Sequence, residues 1–169
     1  MAVNRLNHAV LYVRDAERTA TFYGDLLGFR RVMEMPGAIF LQAAGSTNDH
    51  DLGVFSIGEA AGPSAAGRQT VGLYHLAWEV DTLADLEELR VTLSAAGALV
   101  GQSDHGTTKS LYGHDPDGIE FELAWIVPAE FIDEQALASR GVRPLDLDAE
   151  IARYGRDTKG GIGISIPVP

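Results

Sequence analysis

One order of predicted elements occurs twice along the chain, and this repeat limits the folds open to it. Each copy begins with a strand near a histidine, His8 in LNHAVLYV and His75 in LYHLAWEV. The two histidines are 67 positions apart, and the glycines that end the following helices, Gly28 and Gly97, are 69 apart. Because a solenoid needs more than two copies, the repeat indicates two paired modules of order β-α-β-β-β.

The first module is predicted to occupy residues 1–57. Asp15 is a typical N-cap residue, and the helix that follows ends at Gly28, which can adopt the left-handed conformation. Strands are predicted where β-type runs are broken by turn residues such as Pro36-Gly37, over residues 3–13, 29–35, 38–43 and 51–57.

A linker rich in Gly, Ala, Pro and Ser is predicted over residues 58–71, and the second module over 72–127. Its helix is capped by Asp81 or Thr82 and ends at Gly97. Its strands are predicted over residues 72–80, 98–103, 109–113 and 119–126. In the C-terminal extension, residues 128–169, we expect two short helices over 129–139 and 146–154. Residues 158–169 are expected to form an extended tail along a sheet edge or a neighbouring subunit. The fold class predicted is α+β.

The last two strands form a predicted hairpin around the turn sequence Asp115-Pro116-Asp117-Gly118. In the second strand, side chains alternate between the faces, so Glu120 and Glu122 share the face opposite Phe121. An acid on so apolar a strand is costly to bury unless it is paired or bound to a metal. Glu122 and Glu120 therefore need partners.

The composition narrows the partners and the chemistry. With 24 acidic against 13 basic residues, the net charge of −11 repels phosphate backbones, which makes nucleic acid an unfavourable partner. The chain has no cysteine, so any metal must be held by histidine and carboxylate. We find no apolar run of the roughly 20 residues that a membrane span needs, and no signal peptide, so no membrane partner and a cytoplasmic location are expected.

Residues 4–125 resemble the vicinal oxygen chelate superfamily, which includes glyoxalases, bleomycin resistance proteins and extradiol dioxygenases. The resemblance rests on NHAVLYV, FYGDLLGF, YHLAWEV and DPDGIEFEL, although Ile119 stands where the family usually has Asn. It implies a glyoxalase-like fold, in which two tandem βαβββ modules form a metal-binding cleft. Carried over residue by residue, it also implies that His8, His75 and Glu122 are the metal ligands. Two imidazoles and one carboxylate form the facial triad of non-haem Fe(II) oxygenases.

Within the superfamily, the sequence is most similar to single-domain extradiol catechol 2,3-dioxygenase-like proteins. A glyoxalase would need a second acid where the first module mirrors Glu122, and that position holds Phe55. The resemblance implies that His50 acts as acid and base and that Tyr112, ten residues before Glu122, orients the substrate. His105 is similar to a further pocket histidine, and His114 is expected on the surface.

The predicted function is therefore metal-dependent extradiol cleavage of a small catechol-like aromatic diol by O2, with Fe(II) favoured and Mn(II) or another divalent metal as alternatives. The resemblance and the long tail also suggest a homo-oligomer. Two other functions stay open: a non-redox metalloenzyme such as a glyoxalase, epimerase or fosfomycin-type transferase, and a metal-free binding protein. Each candidate residue also has an ordinary alternative, as a half-buried strand histidine, a core tyrosine or a solvated loop residue.

Overall fold

The structure is a computed structural model that describes residues 2–3, 5–138 and 141–161. It divides into two compact units, Met1–Ala65 with Asp115–Ile119, and Ala66–His114 with Glu120–Pro169. Each unit holds a four-stranded sheet and follows the order β-α-β-β-β. The predicted α+β class and the paired βαβββ modules are confirmed. The predicted boundaries at 57/58, 71/72 and 127/128 stay predictions.

The first unit contains a sheet with strand order β1-β4-β3-β2, in which β1 and β4 are parallel and the other pairs antiparallel. Its elements are β1 (Ala9–Val13), α1 (Ala16–Leu27), β2 (Arg30–Met35), β3 (Ala38–Gln42) and β4 (Leu52–Ser56). Asp15 caps α1 by accepting from the Glu17 and Arg18 N–H groups, and Gly28 ends it with φ of 72°. The buried face of α1 repeats at helical spacing: Ala16, Thr19, Ala20 and Tyr23.

The turn Asp115–Ile119 has the chemistry that its sequence predicts. The Asp115 carboxylate accepts from the N–H groups of Asp117 and Ile119, and Gly118 has φ of 81°. Asp117, whose side chain is 7% exposed, accepts from the Arg14 N–H and guanidinium, and from Arg18. This ion-pair group lies within the first unit.

The second unit contains a sheet with strand order β5-β8-β7-β6, again with one parallel pair, β5 and β8. Its elements are β5 (His75–Glu79), α2 (Leu83–Ala95), β6 (Leu99–Asp104), β7 (Thr108–His114) and β8 (Glu120–Ile126). Thr82 caps α2 in a reciprocal capping box with Asp85. Leu83, Leu86 and Leu93 of α2 are fully buried.

The C-terminal extension forms a 3₁₀ turn (Ala129–Phe131), α3 (Glu134–Ala138) and α4 (Leu147–Tyr154). The start of the tail lies against the second unit, where the Thr158 carbonyl accepts from the Trp125 indole and the Gly161 N–H donates to Ile126. Ile126 ends β8, an inner strand of that sheet, so the expected position along a sheet edge stays a prediction. The rest of the predicted tail, from 162, lies outside the described residues, as does position 139 of the predicted helix.

A buried ion-pair cluster joins β6 and β7 to α4. The Lys109 side chain is 1% exposed, and its Nζ lies 2.6 Å from Asp104 Oδ1 and 3.0 Å from Glu150 Oε2. Partial burial works to raise the pKa of Asp104. The hydrogen bonds from Lys109 and the Gly106 N–H, with the charges of Lys109 and Arg143, outweigh burial and lower that pKa. The Tyr154 ring lies under both Lys109 and Arg153.

Two module-opening strands are shorter than predicted. The strand expected over 3–13 begins at Ala9, so His8 lies immediately before β1, whereas His75 is the first residue of β5. The reason is pairing: Ala9 is the first residue of β1 that is matched with the partner strand, opposite Leu52. Among the helices that the structure describes, none is both long and apolar enough to cross a membrane.

Candidate functional site

One face of the second sheet carries a cavity of about 460 Å³. Strands β5, β7 and β8 supply most of its walls because side chains two residues apart share a face. The lining residues are His75, Ala77, Trp78, Glu79, His105, Thr108, Tyr112, Glu122, Ala124 and Ile126. A volume in this range, with an apolar wall and a few polar groups, is typical of small-molecule sites.

His75 and Glu122 meet in this cavity. Nε2 of His75 lies 3.1 Å from Oε2 of Glu122, and the two side chains are 24% and 12% exposed. The register of the parallel strands produces this contact. Ala77 is the direct partner of Glu122, and His75 lies two residues before Ala77 on the same face of the sheet. The structure therefore brings together two of the three predicted metal ligands.

The other ring nitrogen of His75 faces a second carboxylate. Its Nδ1 lies 3.5 Å from Oε1 of Glu120, and among the described residues neither buried atom has a hydrogen-bond partner. Glu120 is the direct strand partner of His75. An Nδ1–H directed at Glu120 would leave the Nε2 lone pair available to a metal that Glu122 also binds, with Glu120 orienting the imidazole.

Tyr112 lies on the adjacent antiparallel strand, directly opposite Glu122. Its hydroxyl is 3.3 Å from Oε1 of Glu122 and 2.8 Å from Nε2 of His105. Burial, and next the nearby Glu122 carboxylate, raise the pKa of Tyr112 to about 12. The phenol consequently keeps its proton at neutral pH and is available for hydrogen bonding.

His105 lies just after β6 and is placed by its two ring nitrogens. Nε2 contacts the Tyr112 hydroxyl, and Nδ1 is 2.9 Å from the carbonyl oxygen of Gly141. Residue spacing along the chain does not by itself place His105 in the cavity. In the structure, His105 lines the same cavity as Tyr112 and Glu122. Its catalytic role stays a prediction.

The two remaining predicted site residues lie together in the first unit. The His8 and His50 rings have centroids 4.4 Å apart, and the Phe40 ring meets His50 edge to face. Asn7 Oδ1 is 2.8 Å from Nδ1 of His8, and Asp49 Oδ2 is 3.3 Å from Nδ1 of His50. His8 is exposed, and the His50 side chain is 16% exposed. Their roles as metal ligand and acid–base residue stay predictions.

The donor pair in the second unit fits a divalent metal. Two ligand atoms bonded at about 2.1 Å and roughly at right angles are about 3 Å apart, which matches the separation of His75 Nε2 and Glu122 Oε2. Imidazole nitrogen and carboxylate oxygen are also the donors that Fe(II) and Mn(II) accept. Among the described residues, no three His, Asp or Glu side chains form one metal-holding group.

Two contributors to this site lie outside the predicted set. Glu120 is not among the predicted site residues, because its pairing with His75 depends on the parallel register of β5 and β8. The signal available in the sequence was its position two residues before Glu122. The Gly141 carbonyl had no signal, because a backbone oxygen is defined only by the path of the chain. His114 is exposed, as predicted.

Residues 5–123 match the family model described as the Glyoxalase/Bleomycin resistance protein/Dioxygenase superfamily. The chain belongs to this superfamily. The match covers both modules, and it includes all the predicted site residues: His8, His50, His75, His105, Tyr112 and Glu122. The predicted superfamily is thereby confirmed.

Two curated relatives within the superfamily are named as dioxygenases. Biphenyl-2,3-diol 1,2-dioxygenase 3 of Rhodococcus globerulus is 34% identical over 125 residues, covering 70% of this chain and 62% of the relative. Catechol-2,3-dioxygenase of Bacillus subtilis (strain 168) is 32% identical over 124 residues, covering 70% and 40%. The chain thus spans less than two thirds of the length of either relative.

Solved structures support the superfamily fold. A lactoylglutathione lyase from Agrobacterium tumefaciens superposes with a TM-score of 0.56 at 21% identity, covering 73% of this chain and 95% of that one. At this identity the likeness concerns the fold alone. Since the same scaffold carries different reactions, the reaction has to be argued from the site.

Proposed function

We propose that this protein is a metal-dependent extradiol-type dioxygenase that uses O2 to cleave a small catechol-like aromatic diol. The observation that carries the proposal is the 3.1 Å approach of His75 Nε2 to Glu122 Oε2, with the Tyr112 hydroxyl beside the same carboxylate. The names of the two curated relatives support the same reaction class.

The cavity suits an aromatic diol in both size and chemistry. Its apolar side is formed by Ala77, Ala124 and Ile126, which can receive a ring face, and its polar side by the titratable residues. The relatives' names include a biphenyl diol and a catechol, so a single-ring or two-ring diol is the substrate class proposed.

His75 and Glu122 would hold the metal, and His8 is the predicted third ligand. Fe(II) held there would offer open coordination positions to two vicinal oxygens and would pass electron density from the diol ring to O2. The alternative metals, Mn(II) among them, would have the same donors. Glu120 would orient the His75 ring, and the charge of Glu122 would favour a cation over a neutral occupant.

The remaining side chains manage protons and orientation. Tyr112 stays protonated at neutral pH and is placed to hydrogen-bond a substrate oxygen. His105 Nε2 lies behind the Tyr112 hydroxyl, where an imidazole can accept or return a proton. His50 is proposed as the acid–base residue on the strength of the family resemblance.

The non-redox alternative would use the same metal-binding side chains. One position in the first sheet argues against a glyoxalase. Phe55, directly opposite Tyr12 in the pairing of β1 and β4, stands where a glyoxalase would place a second acid. Without that acid, a glyoxalase would lack the carboxylate that serves as metal ligand and base. A metal-free binding cleft would have no need of His8, His75 and Glu122 together, which counts against that alternative.

The test loads the protein anaerobically with Fe(II), then adds catechol, 3-methylcatechol or 2,3-dihydroxybiphenyl followed by air. Oxygen uptake with formation of a yellow ring-opened product is expected, and His50→Ala should lower its rate by about 10²-fold or more. Thr47→Ala, in the exposed loop before β4, is the control and should keep the wild-type rate. Metal binding without oxygen uptake on any diol would overturn the proposal in favour of non-redox chemistry.

A further inference from the structure

The C-terminal extension, which the proposed function leaves without a role, reaches the cavity through one short segment. We name residues 141–145 the C-terminal strap. The strap runs antiparallel to the free edge of β6: the Asp104 N–H donates to the Arg143 carbonyl at 2.8 Å, and the Arg143 N–H donates back at 3.1 Å. The Gln102 side chain also donates to the Leu145 carbonyl. The strap therefore satisfies backbone groups of an edge strand.

Arg143 fixes the strap to the buried ion-pair cluster. Its guanidinium donates to Asp104 Oδ2 at 3.0 Å, while Lys109 and the Gly106 N–H hold Oδ1 of the same carboxylate at 2.6 Å and 2.8 Å. Asp104 therefore joins the strap to Lys109, whose side chain is almost fully buried. The strap is consequently held at Asp104, the residue immediately before His105.

The strap contacts His105 through an atom that can only accept. The Gly141 carbonyl oxygen lies 2.9 Å from Nδ1, so this hydrogen bond requires the ring hydrogen to be on Nδ1. In a neutral imidazole, Nε2 then has a lone pair and must accept. Among the contacts of the described residues, the donor to Nε2 is then the Tyr112 hydroxyl, whose oxygen lies 2.8 Å away.

We propose that the C-terminal strap is a positioning element for the cavity: the Gly141 carbonyl selects the Nδ1–H tautomer of His105 and thereby directs the Tyr112 hydroxyl hydrogen to His105. The Tyr112 oxygen then turns its lone pairs toward the cavity and accepts a hydrogen bond from a substrate hydroxyl. The opposite tautomer would send that hydrogen to Glu122 Oε1, 3.3 Å away. The substrate consequence, recognition of a ligand with a protonated hydroxyl, rests on the proposed function; the tautomer itself does not.

The test measures the tautomer directly, by ¹⁵N NMR of the full-length protein labelled at histidine, without metal or diol and at about pH 8, where an ordinary histidine is neutral. Wild-type His105 should show a protonated Nδ1 and an unprotonated Nε2. A protonated Nε2 in the wild-type protein would overturn the proposal.

Two variants move the strap by independent means. Arg143→Asp places a like charge opposite Asp104, and Gly141→Pro replaces a residue with φ of 142° by one restricted to about −65°. Each should increase the Nε2–H population of His105 at least about threefold, with faster hydrogen exchange at the Asp104 N–H. Arg143→Lys, which keeps the charge, should retain the wild-type tautomer. An unchanged tautomer in both Arg143→Asp and Gly141→Pro would refute the role of the strap.

Lys159→Asp is the matched control for charge reversal in the same extension. The Lys159 side chain is 76% exposed and pairs with Asp81, so this change should leave the His105 tautomer unaltered. In the Fe(II)-loaded enzyme, Arg143→Asp should raise KM for the diol severalfold and change kcat less. A negative dioxygenase assay with the expected NMR result would reject the proposed function and leave the strap's role standing.

Discussion

Nε2 of His75 and Oε2 of Glu122 lie 3.1 Å apart although 47 residues separate them in the chain. They are on neighbouring parallel strands, and the register of β5 against β8 sets the distance. The same separation suits a hydrogen-bonded ion pair and two ligands of one metal. The two possibilities respond differently to substitution, which makes the pair the first target for experiment.

We expect Glu122→Gln to weaken divalent metal binding by more than about a hundredfold, because an amide lacks the negative charge of the ligand and because even outer residues contribute 10- to 100-fold. Anaerobic calorimetric titration with Fe(II) or Mn(II) measures the change. Glu88→Gln, an exposed change of the same charge on α2, is the control and should bind metal as the wild type does. Equal affinity in Glu122→Gln would mean that the pair is structural.

Glu120→Gln should lower metal affinity less, by about 10- to 100-fold, since the carboxylate orients His75 and is not itself a ligand. The Nδ1 of His75 lies 3.5 Å from Oε1 of Glu120, and neither atom has a hydrogen bond to any other residue in the described part of the chain. The same titration applies, with Glu88→Gln again as reference. A loss as large as that of Glu122→Gln would instead identify Glu120 as a ligand.

Lys109→Met tests the buried cluster on the opposite side of the second sheet. The change leaves Asp104 and Glu150 without their buried cation, so the free energy of unfolding should fall by about 3–5 kcal/mol. Urea unfolding followed by circular dichroism measures it. Lys159→Met removes an exposed lysine paired with Asp81 and should cost less than about 1 kcal/mol. Similar losses for the two variants would contradict the assigned importance of burial.

The Asp117 carboxylate should make the stability of the protein sensitive to acid. Partial burial works to raise the pKa of Asp117, but the hydrogen bonds from the Arg14 N–H and guanidinium, with the charges of Arg18 and Arg14, outweigh it and lower the pKa. A pKa lower in the folded than in the unfolded state gives stability that is full above the ordinary aspartate range and is lost as pH falls through the folded value.

Asp117→Asn should therefore reduce the free energy of unfolding by about 1–3 kcal/mol at neutral pH, as expected for loss of charged hydrogen bonds. The gap from the wild type should narrow as pH falls below about 4, because Asp117 of the unfolded chain takes up a proton there before the folded carboxylate does. Denaturant unfolding across this range measures both effects, with the exposed Asp25→Asn as reference for the loss of one charge. A gap that stays constant down to acid pH would contradict the assigned ion pairs.

The order of elements was available from the sequence because each one has a local cause. The α1 helix begins at the Asp15 cap and ends at the positive φ of Gly28, and the hairpin turn is closed by Asp115. The strand ends were less predictable: residues before Ala9 have β-type composition, but strand length depends on where a partner strand supplies hydrogen bonds.

The candidate site divides in the same way. The motifs and the family resemblance predict which residues belong to the site, and four of them line the cavity: His75, Glu122, Tyr112 and His105. The sheet register decides the distances between them. A shift of one residue would turn every side chain of the shifted strand to the opposite face.

What the sequence by itself determined is the repeated β-α-β-β-β order, the superfamily and the histidine and carboxylate chemistry, because caps, turns and alternating patterns act over a few neighbouring residues. Only the tertiary structure decided that Glu120 faces His75 Nδ1 and that the Gly141 carbonyl meets His105. Both contacts join residues far apart in the chain, and one is made by a backbone atom. No residue type predicts such a contact, because it forms only when the strands and the strap are aligned in their tertiary register.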